Sequence, residues 1–275
     1  MIRAFFQPTE IEEALRLGRE LGDSAAFLAG GTELNAGYAS PPPNLISLAR
    51  LDLGGIEKRA GLLAVPATHT IQRILDAPGI PPVLAKACRN IVNRNVRNMA
   101  TIGGHIACRK SCSDIIPALV ALQASMEMTL VATGEEKSCP VMEFVESALP
   151  GALIRRVLVP DESGRGVAIE SYTRSGNDMS IITVAASIGF QEDKVERPIL
   201  VVGGVAKSAV RLEDLESSID GGPLPPLEEI EERVKESVSP ISDLRGSAEL
   251  KRHLAGVLMA RALGRAAKAK EGGER

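Results

Sequence analysis

The sequence predicts an α+β chain in three segments, 1–55, 56–164 and 165–275, and three observations carry that expectation. Short apolar runs alternate with runs of helical period through the first two segments. From Gly166 the pattern changes to long β-type runs at 168–172, 181–190 and 199–205, as in an antiparallel sheet. Beyond those runs only helical periodicity remains, at 227–238 and 249–267.

Each element follows from local chemistry. Thr9-Glu10-Ile11-Glu12 has the form of a capping box opening a helix whose apolar face is Ile11, Ala14, Leu15, Leu17 and Leu21 and whose stop is Gly22. Residues 25–28 read as a short buried strand, and after the Pro41-Pro42-Pro43 break residues 45–48 read as another, which makes a small β-α-β-like unit. In the second segment 62–65 is a strand, 70–75 a short helix and 82–92 a longer one. Ser113 and Asp114 cap a helix running through Ile115, Ile116, Leu119, Val120 and Leu122, with Pro117 tolerated in its first turn. Strands at 126–132 and 152–159 complete that segment. The terminal helix places Leu250, Leu254, Leu258, Ala262 and Leu263 on one face, 221–226 is a loop within the third segment, and 268–275 is a frayed end.

Two glycine loops stand out chemically. Ala29-Gly30-Gly31-Thr32-Glu33-Leu34-Asn35 follows the 25–28 strand, and Ala100-Thr101-Ile102-Gly103-Gly104-His105 opens a later structured segment. Paired glycines let successive backbone N–H groups turn toward one point, because no Cβ blocks close approach or positive φ, and such a nest attracts phosphate oxygens. A threonine hydroxyl beside each pair adds a donor, so the loops read as two halves of one diphosphate cradle. The Glu33 carboxylate would repel a phosphate if it pointed inward, so it is expected to point away and bond nearby backbone N–H groups.

Composition narrows the partners. A net charge of -3, with 32 basic and 35 acidic residues interspersed, excludes a broad nucleic-acid or anionic-membrane surface and leaves a small molecule or another protein. No apolar run approaches the ~20 residues of a membrane span, and the N-terminus lacks a signal-peptide core, so a cytoplasmic location is expected. Cys88, Cys108, Cys112 and Cys139 are expected as free thiols; Cys108 and Cys112 have no second closely spaced pair with which to hold a metal. With no Trp and only Tyr38 and Tyr172, a flavin or nucleobase would stack on aliphatic or amide groups. His69 is expected to cap the helix it precedes, His253 lies in the terminal helix, and neither belongs to a hydrolytic triad. No Walker or Rossmann fingerprint is present.

The string Arg97-Asn98-Met99-Ala100-Thr101-Ile102-Gly103-Gly104, followed by Asp114 and paired with Ala29-Gly30-Gly31-Thr32-Glu33-Leu34, closely resembles the FAD-binding subunits of the molybdenum hydroxylases, the family of xanthine dehydrogenase and of the carbon monoxide dehydrogenase medium subunit. That resemblance implies a PCMH-type FAD-binding fold of two α/β subdomains, 1–55 and 56–164, plus a C-terminal domain, 165–275, with a three-stranded antiparallel sheet and a helix bundle. It implies that Phe27, Leu28, Ala29, Gly30, Gly31, Thr32, Glu33 and Leu34, with Ala100, Thr101, Ile102, Gly103 and Gly104, hold the FAD diphosphate and adjoining ribityl chain. Asp114 would accept a hydrogen bond from a flavin-side hydroxyl, cap the following helix, or do both, and the main chain near Ile154 would touch the cofactor.

The implied role is electron transfer between an iron-sulfur subunit and an external acceptor, with a molybdopterin subunit as a further partner and no catalytic or metal-binding residue on this chain. Two alternatives use the same fold: a self-contained FAD oxidoreductase, or a flavin-free scaffold. The chain departs from the family pattern at His105, where many members have Asn, and at Lys110-Ser111, where they have Ser-Pro. Arg109 or Lys110 would then either approach the diphosphate or stay a solvated loop charge. Glu170 stands where xanthine dehydrogenases carry a lysine near the flavin, with Arg174 either a substitute or an ordinary surface residue.

Overall fold

The computed structural model describes residues 2–36, 42–147, 151–161, 164–176 and 178–272; Tyr38, Pro41 and the last residues of the expected frayed end lie outside them. The chain divides into two compact units, one of residues 1–80, 93–108 and 124–159, the other of residues 81–92, 109–123 and 160–275. In chain order the elements are β1 (Ala4–Phe6), α1 (Ile11–Leu21), β2 (Ala25–Leu28), β3 (Asn44–Ser47), β4 (Glu57–Arg59), β5 (Leu62–Pro66), α2 (Ile71–Leu75), α3 (Pro82–Asn90), α4 (Arg94–Met99), α5 (Ile102–Ala107) and α6 (Ile115–Ala121). There follow β6 (Ser125–Leu130), β7 (Glu136–Pro140), α7 (Val141–Glu146), β8 (Ala152–Pro160), β9 (Gly166–Tyr172), β10 (Ile182–Gln191), β11 (Lys194–Gly203), β12 (Val210–Arg211), α8 (Glu213–Ile219), α9 (Leu227–Ser237) and α10 (Ala248–Gly272).

The first unit holds two sheets. In one, β3 lies between β1 and β2 and pairs with both in parallel, so α1 is the crossover that lets β2 return beside β3. α1 buries Ala14, Leu15 and Leu17 and stops at Gly22, whose φ of 50° and N–H to the Gly18 carbonyl end the helix. The expected capping box does not form: Glu10 occupies the N-cap position and makes no side-chain cap, which leaves Thr9 one residue outside the register. The second sheet runs β4-β5-β8-β6-β7, with β8 in its middle. β1, β4, β7 and α7 escaped the sequence reading because each is a short piece whose backbone pairing or packing, rather than its own periodicity, defines it.

α4 and α5 were expected as loop. Asn93 caps α4 by accepting from Val96 N, and Thr101 caps α5 by accepting from Gly104 N. A glycine pair disfavours helix by intrinsic propensity, but hydrogen bonds from Ile102 N to His69 O and from Gly103 N to Ala67 O pin the first turn of α5 in place.

The second unit is built on an antiparallel sheet, β12-β11-β10-β9, whose core strand β10 is buried along nearly all its length. The three expected strands are there, and the short β12 adds a fourth at the edge. α10 packs on β9 and β10 through Leu258, Met259, Ala262, Leu263 and Ala266. The expected face departs at Leu250, which is 39% exposed, while Leu254 packs against the core with Leu258, Ala262 and Leu263, and the helix runs to Gly272, past the point where fraying was expected. The closest approach is at Gly166, where a Cβ would lie 1.8 Å from the Ala266 carbonyl oxygen, so only glycine lets strand and helix meet there. No helix among the described residues is long and apolar enough to cross a membrane.

Candidate functional site

The site in the first unit starts from β2, which delivers Ala29 and Gly30 directly against the end of α4. A Cβ on Gly30 would lie 1.8 Å from the Met99 carbonyl oxygen and 2.7 Å from its carbon, so the two loops touch backbone to backbone. Gly31 then takes φ +68°, a left-handed conformation, and the chain winds into a turn closed by Asn35 N to Gly31 O and Ala36 N to Glu33 O, both 3.0 Å. Among the described residues the amides of Gly30, Gly31 and Thr32 have no hydrogen-bond partner, so they are available to an anion. Glu33 is half-buried and is engaged within the protein.

The second loop differs from the expected mirror image. Most of its amides are already committed: Ala100 N to Val96 O, Ile102 N to His69 O, Gly103 N to Ala67 O, Gly104 N to Thr101 Oγ1 and His105 N to Thr101 O, which leaves Thr101 N without a partner among the described residues. Gly103 is needed for close packing, since a Cβ there would meet the Ala67 side chain at 2.6 Å, whereas one on Gly104 would meet only Thr101 Oγ1 at 3.0 Å and Ala29 Cβ at 3.9 Å. The second glycine pair is therefore a buttress behind the first. Its chemical contribution is Thr101, whose amide has no partner among the described residues and whose hydroxyl accepts from Gly104 N and keeps its own proton to donate.

A cleft of about 320 Å³ opens between the loops, with Ala29, Gly30, Met99 and Thr101 on its walls. Residues 48–54 between β3 and β4 close one side, and Thr68, His69, Thr70 and Arg73 close another. This is the lower end of the volume range of small-molecule sites. A larger cleft of about 840 Å³ meets it at His69, Thr70 and Arg73, but no residue of either glycine loop lines it. The unpartnered amides of Gly30 and Thr101, threonine hydroxyls and a guanidinium around one cleft, with those of Gly31 and Thr32 in the turn beside it, suit a phosphate-bearing ligand, so the residues present fit a flavin dinucleotide.

The remaining expected residues are placed as follows. Phe27 and Leu28 lie on β2 and are partly buried, as are Thr32 and Leu34 in the turn after it, while Ala100 and Ile102 are buried beside the buttress. Ile154 is buried on β8, paired opposite Met128, with its main chain inside the five-stranded sheet.

Asp114 belongs to the second unit and is 3% exposed. Its Oδ1 accepts from Thr183 Oγ1 at 2.6 Å, Ser180 Oγ at 2.7 Å and, at 3.5 Å, Asn90 Nδ2. Burial pushes its carboxyl above the ordinary carboxylate range, and the bonds from Thr183, Ser180 and Asn90 pull the other way. It makes no side-chain cap on α6; Ser113 does, accepting from Ile116 N at 2.9 Å, because hydroxyls from the β10 region hold the Asp114 carboxylate.

Glu170 on β9 is held by Lys86 at 3.0 Å and by Arg265, an ion triad within the second unit. Arg174 pairs with Asp178 at 3.6 Å, and Arg109 and Lys110 are each engaged within the protein. None of the four cysteines is in a disulfide, with Cys88 and Cys139 buried and Cys108 exposed. Among the described residues no group of His, Cys, Asp or Glu could hold a metal ion.

Sequence reasoning missed residues 68–73. His69 was expected as a helix cap, but Thr70 caps α2 by accepting from Arg73 N at 3.2 Å. His69 is instead 5% exposed, with Nε2 unpartnered, and burial together with the Arg73 charge lowers its pKa. A His and an Arg four apart across a helix start carry no signal of their own in a sequence.

Comparison with known proteins adds the following. Residues 1–162 match the family model described as FAD binding domain in molybdopterin dehydrogenase, and residues 168–266 match the CO dehydrogenase flavoprotein C-terminal domain. The chain is 33% identical to the uncharacterized protein YgfM of Escherichia coli (strain K12), over 94% of this chain and 95% of that one. It is 28% identical to the 6-hydroxypseudooxynicotine dehydrogenase complex subunit alpha of Paenarthrobacter nicotinovorans, over 93% and 91% of the two chains. A chain in the structure of carbon monoxide dehydrogenase from Hydrogenophaga pseudoflava superposes with a TM-score of 0.90 at 26% identity, covering 98% of both chains.

Proposed function

The chain belongs to the family of FAD-binding medium subunits of the molybdenum hydroxylases, and from that premise we propose that it is the flavin-bearing electron relay of a multi-subunit complex. It is an oxidoreductase subunit and its cofactor is FAD. The relay runs between an iron-sulfur subunit and an external acceptor, with the molybdopterin centre on a further chain. The medium-chain and complex-subunit names of its relatives support that arrangement.

The observation that carries the reading is the cleft walled by both glycine loops and lined by Gly30 and Thr101, whose amides have no partner among the described residues. Bound flavin supplies the redox chemistry, accepting and releasing electrons. The protein's part is to hold it: Gly30, Gly31 and Thr32 donate backbone N–H groups, Thr101 offers a hydroxyl, and the second loop keeps the first from moving. We take 1–55 and 56–164 as the flavin subdomains and 165–275 as the C-terminal domain. In support, the sheets β1-β3-β2, β4-β5-β8-β6-β7 and β12-β11-β10-β9 each fall wholly within one of these segments.

The purified full chain is expected to bind FAD in a one-to-one ratio, with oxidised-flavin absorbance near ~450 nm that dithionite bleaches reversibly. A chain that neither carries flavin nor takes it up from added FAD would refute the reading. Gly31→Val is expected to lose this binding while the chain still folds. A β-branched residue resists φ +68°, and its Cβ would crowd Leu28 Cδ1 at 3.0 Å and Asn35 Nδ2 at 3.1 Å in a turn near the protein surface. The measurement is an FAD titration beside a far-ultraviolet circular dichroism spectrum.

A further inference from the structure

We propose that residues 68–73 form a third, charge-bearing wall of the flavin site, in which the Arg73 guanidinium faces the diphosphate and the buried His69 donates Nε2–H to a phosphate oxygen. The proposal rests on FAD being the ligand of this cleft.

Most amides of the second glycine loop are committed within the fold, which leaves the neutral N–H groups of Gly30, Gly31 and Thr32 in the first loop and of Thr101 in the second as the loops' backbone donors among the described residues. A diphosphate carries negative charge on each phosphoryl group, and a neutral nest alone leaves that charge without a cation in a partly desolvated cleft. Arg73 is the basic side chain lining the 320 Å³ cleft, and among the described residues it has no ion-pair partner. The acid that lines the same cleft, Asp52, is turned onto its own loop, accepting from Gly54 N at 2.9 Å.

The segment is also rigid. Ile71 N donates to Ala100 O at 2.8 Å, Ile102 N to His69 O at 3.1 Å and Gly103 N to Ala67 O at 2.9 Å, and Thr70 and Thr101 form an antiparallel bridge. These bonds tie residues 67–71 to the second glycine loop, so the wall and the buttress are one piece. A ligand seated on Gly30 therefore meets a segment whose backbone is already fixed, and the Arg73 side chain and the His69 ring have only to turn for the guanidinium and Nε2 to reach it.

His69 supplies the independent sign. A polar nitrogen shut away from water without a partner is a standing cost unless something arrives to bond it. Its Nε2 has no partner in the protein, and the residue lines both clefts where they meet. A phosphate oxygen accepts strongly from an imidazole N–H.

The test is an FAD titration of the full chain by quenching of flavin fluorescence, with the thermal midpoint of the flavin-free protein as a second readout. Wild-type binding establishes the cleft's ligand; its absence would sink the flavin reading itself, separately from this wall. Arg73→Gln is expected to weaken FAD by about tenfold or more and to flatten the dependence on salt, with an unchanged midpoint. His69→Leu is expected to weaken FAD while the flavin-free midpoint holds or rises, and His69→Gln, which keeps an amide N–H near the same place, to restore most of the affinity. If both Arg73→Gln and His69→Leu bind FAD within about twofold of wild type, or if both lose affinity only in step with a lower midpoint, the wall does not exist.

Discussion

Gly30→Ala is expected to destabilise the flavin-free chain by about 3 kcal/mol and to remove most of its FAD binding. The added Cβ would fall 1.8 Å from Met99 O and 3.1 Å from Ala100 Cα, both backbone atoms. That backbone has no room to give, because Ala100 O accepts from Ile71 N at 2.8 Å and Ala100 N donates to Val96 O at 2.7 Å. The loops must part, and the cleft between them loses its shape. Gly104→Ala is the matched control: it meets only a threonine oxygen at 3.0 Å and a methyl at 3.9 Å, so its effect should be under about 1 kcal/mol. Urea unfolding and FAD titration of both variants decide the matter, and equal behaviour of the two would refute the backbone contact.

The second large effect is expected at Asp114, in the other unit. Asp114→Ala should cost about 3 kcal/mol or more, because Ser180 and Thr183, each 1% exposed, lose the acceptor that both hydroxyls share. Asp114→Asn keeps a carbonyl oxygen there and should cost much less. The two forms of the site also separate by pH. Asp114 titrates above its ordinary value of 3.8 in the folded chain, so the folded state takes up the proton first. Its contribution is then greatest below about pH 4 and falls as pH rises through the raised folded value. The asparagine variant, which carries no charge to bury, should therefore gain on wild type between about pH 4 and neutrality. A constant difference across that range would show that the buried carboxylate is not the source.

Much of the fold was readable because its signals are local. The strands at β2, β5, β8 and β9, the helices α1, α3 and α9, and the stop at Gly22 follow from apolar period, glycine and proline. What escaped was short or paired: β1 and β12 exist because a neighbouring strand supplies their hydrogen bonds, and α5 exists because Ala67 and His69 hold two of its first amides. The site divided in the same way. The glycine pairs were visible as residues, but their unequal roles were not, since whether an amide is free depends on a carbonyl some thirty-five positions away along the chain, as with Gly103 N and Ala67 O.

The sequence by itself determined the α+β class, the family and the flavin, because a glycine string at fixed spacing records a backbone that must come close to something. Only the tertiary structure decided what each glycine comes close to. Gly30 meets the backbone of Met99, Gly103 meets Ala67, and the amides left over among the described residues are those of Gly30, Gly31 and Thr32 in the first loop and of Thr101 in the second. It also decided that Asp114 gathers three donors instead of capping a helix, and that His69 and Arg73 stand at the cleft. The physical reason is that hydrogen-bond capacity is finite: a donor spent inside the fold cannot serve a ligand, and which donors are spent is settled only when distant segments pack.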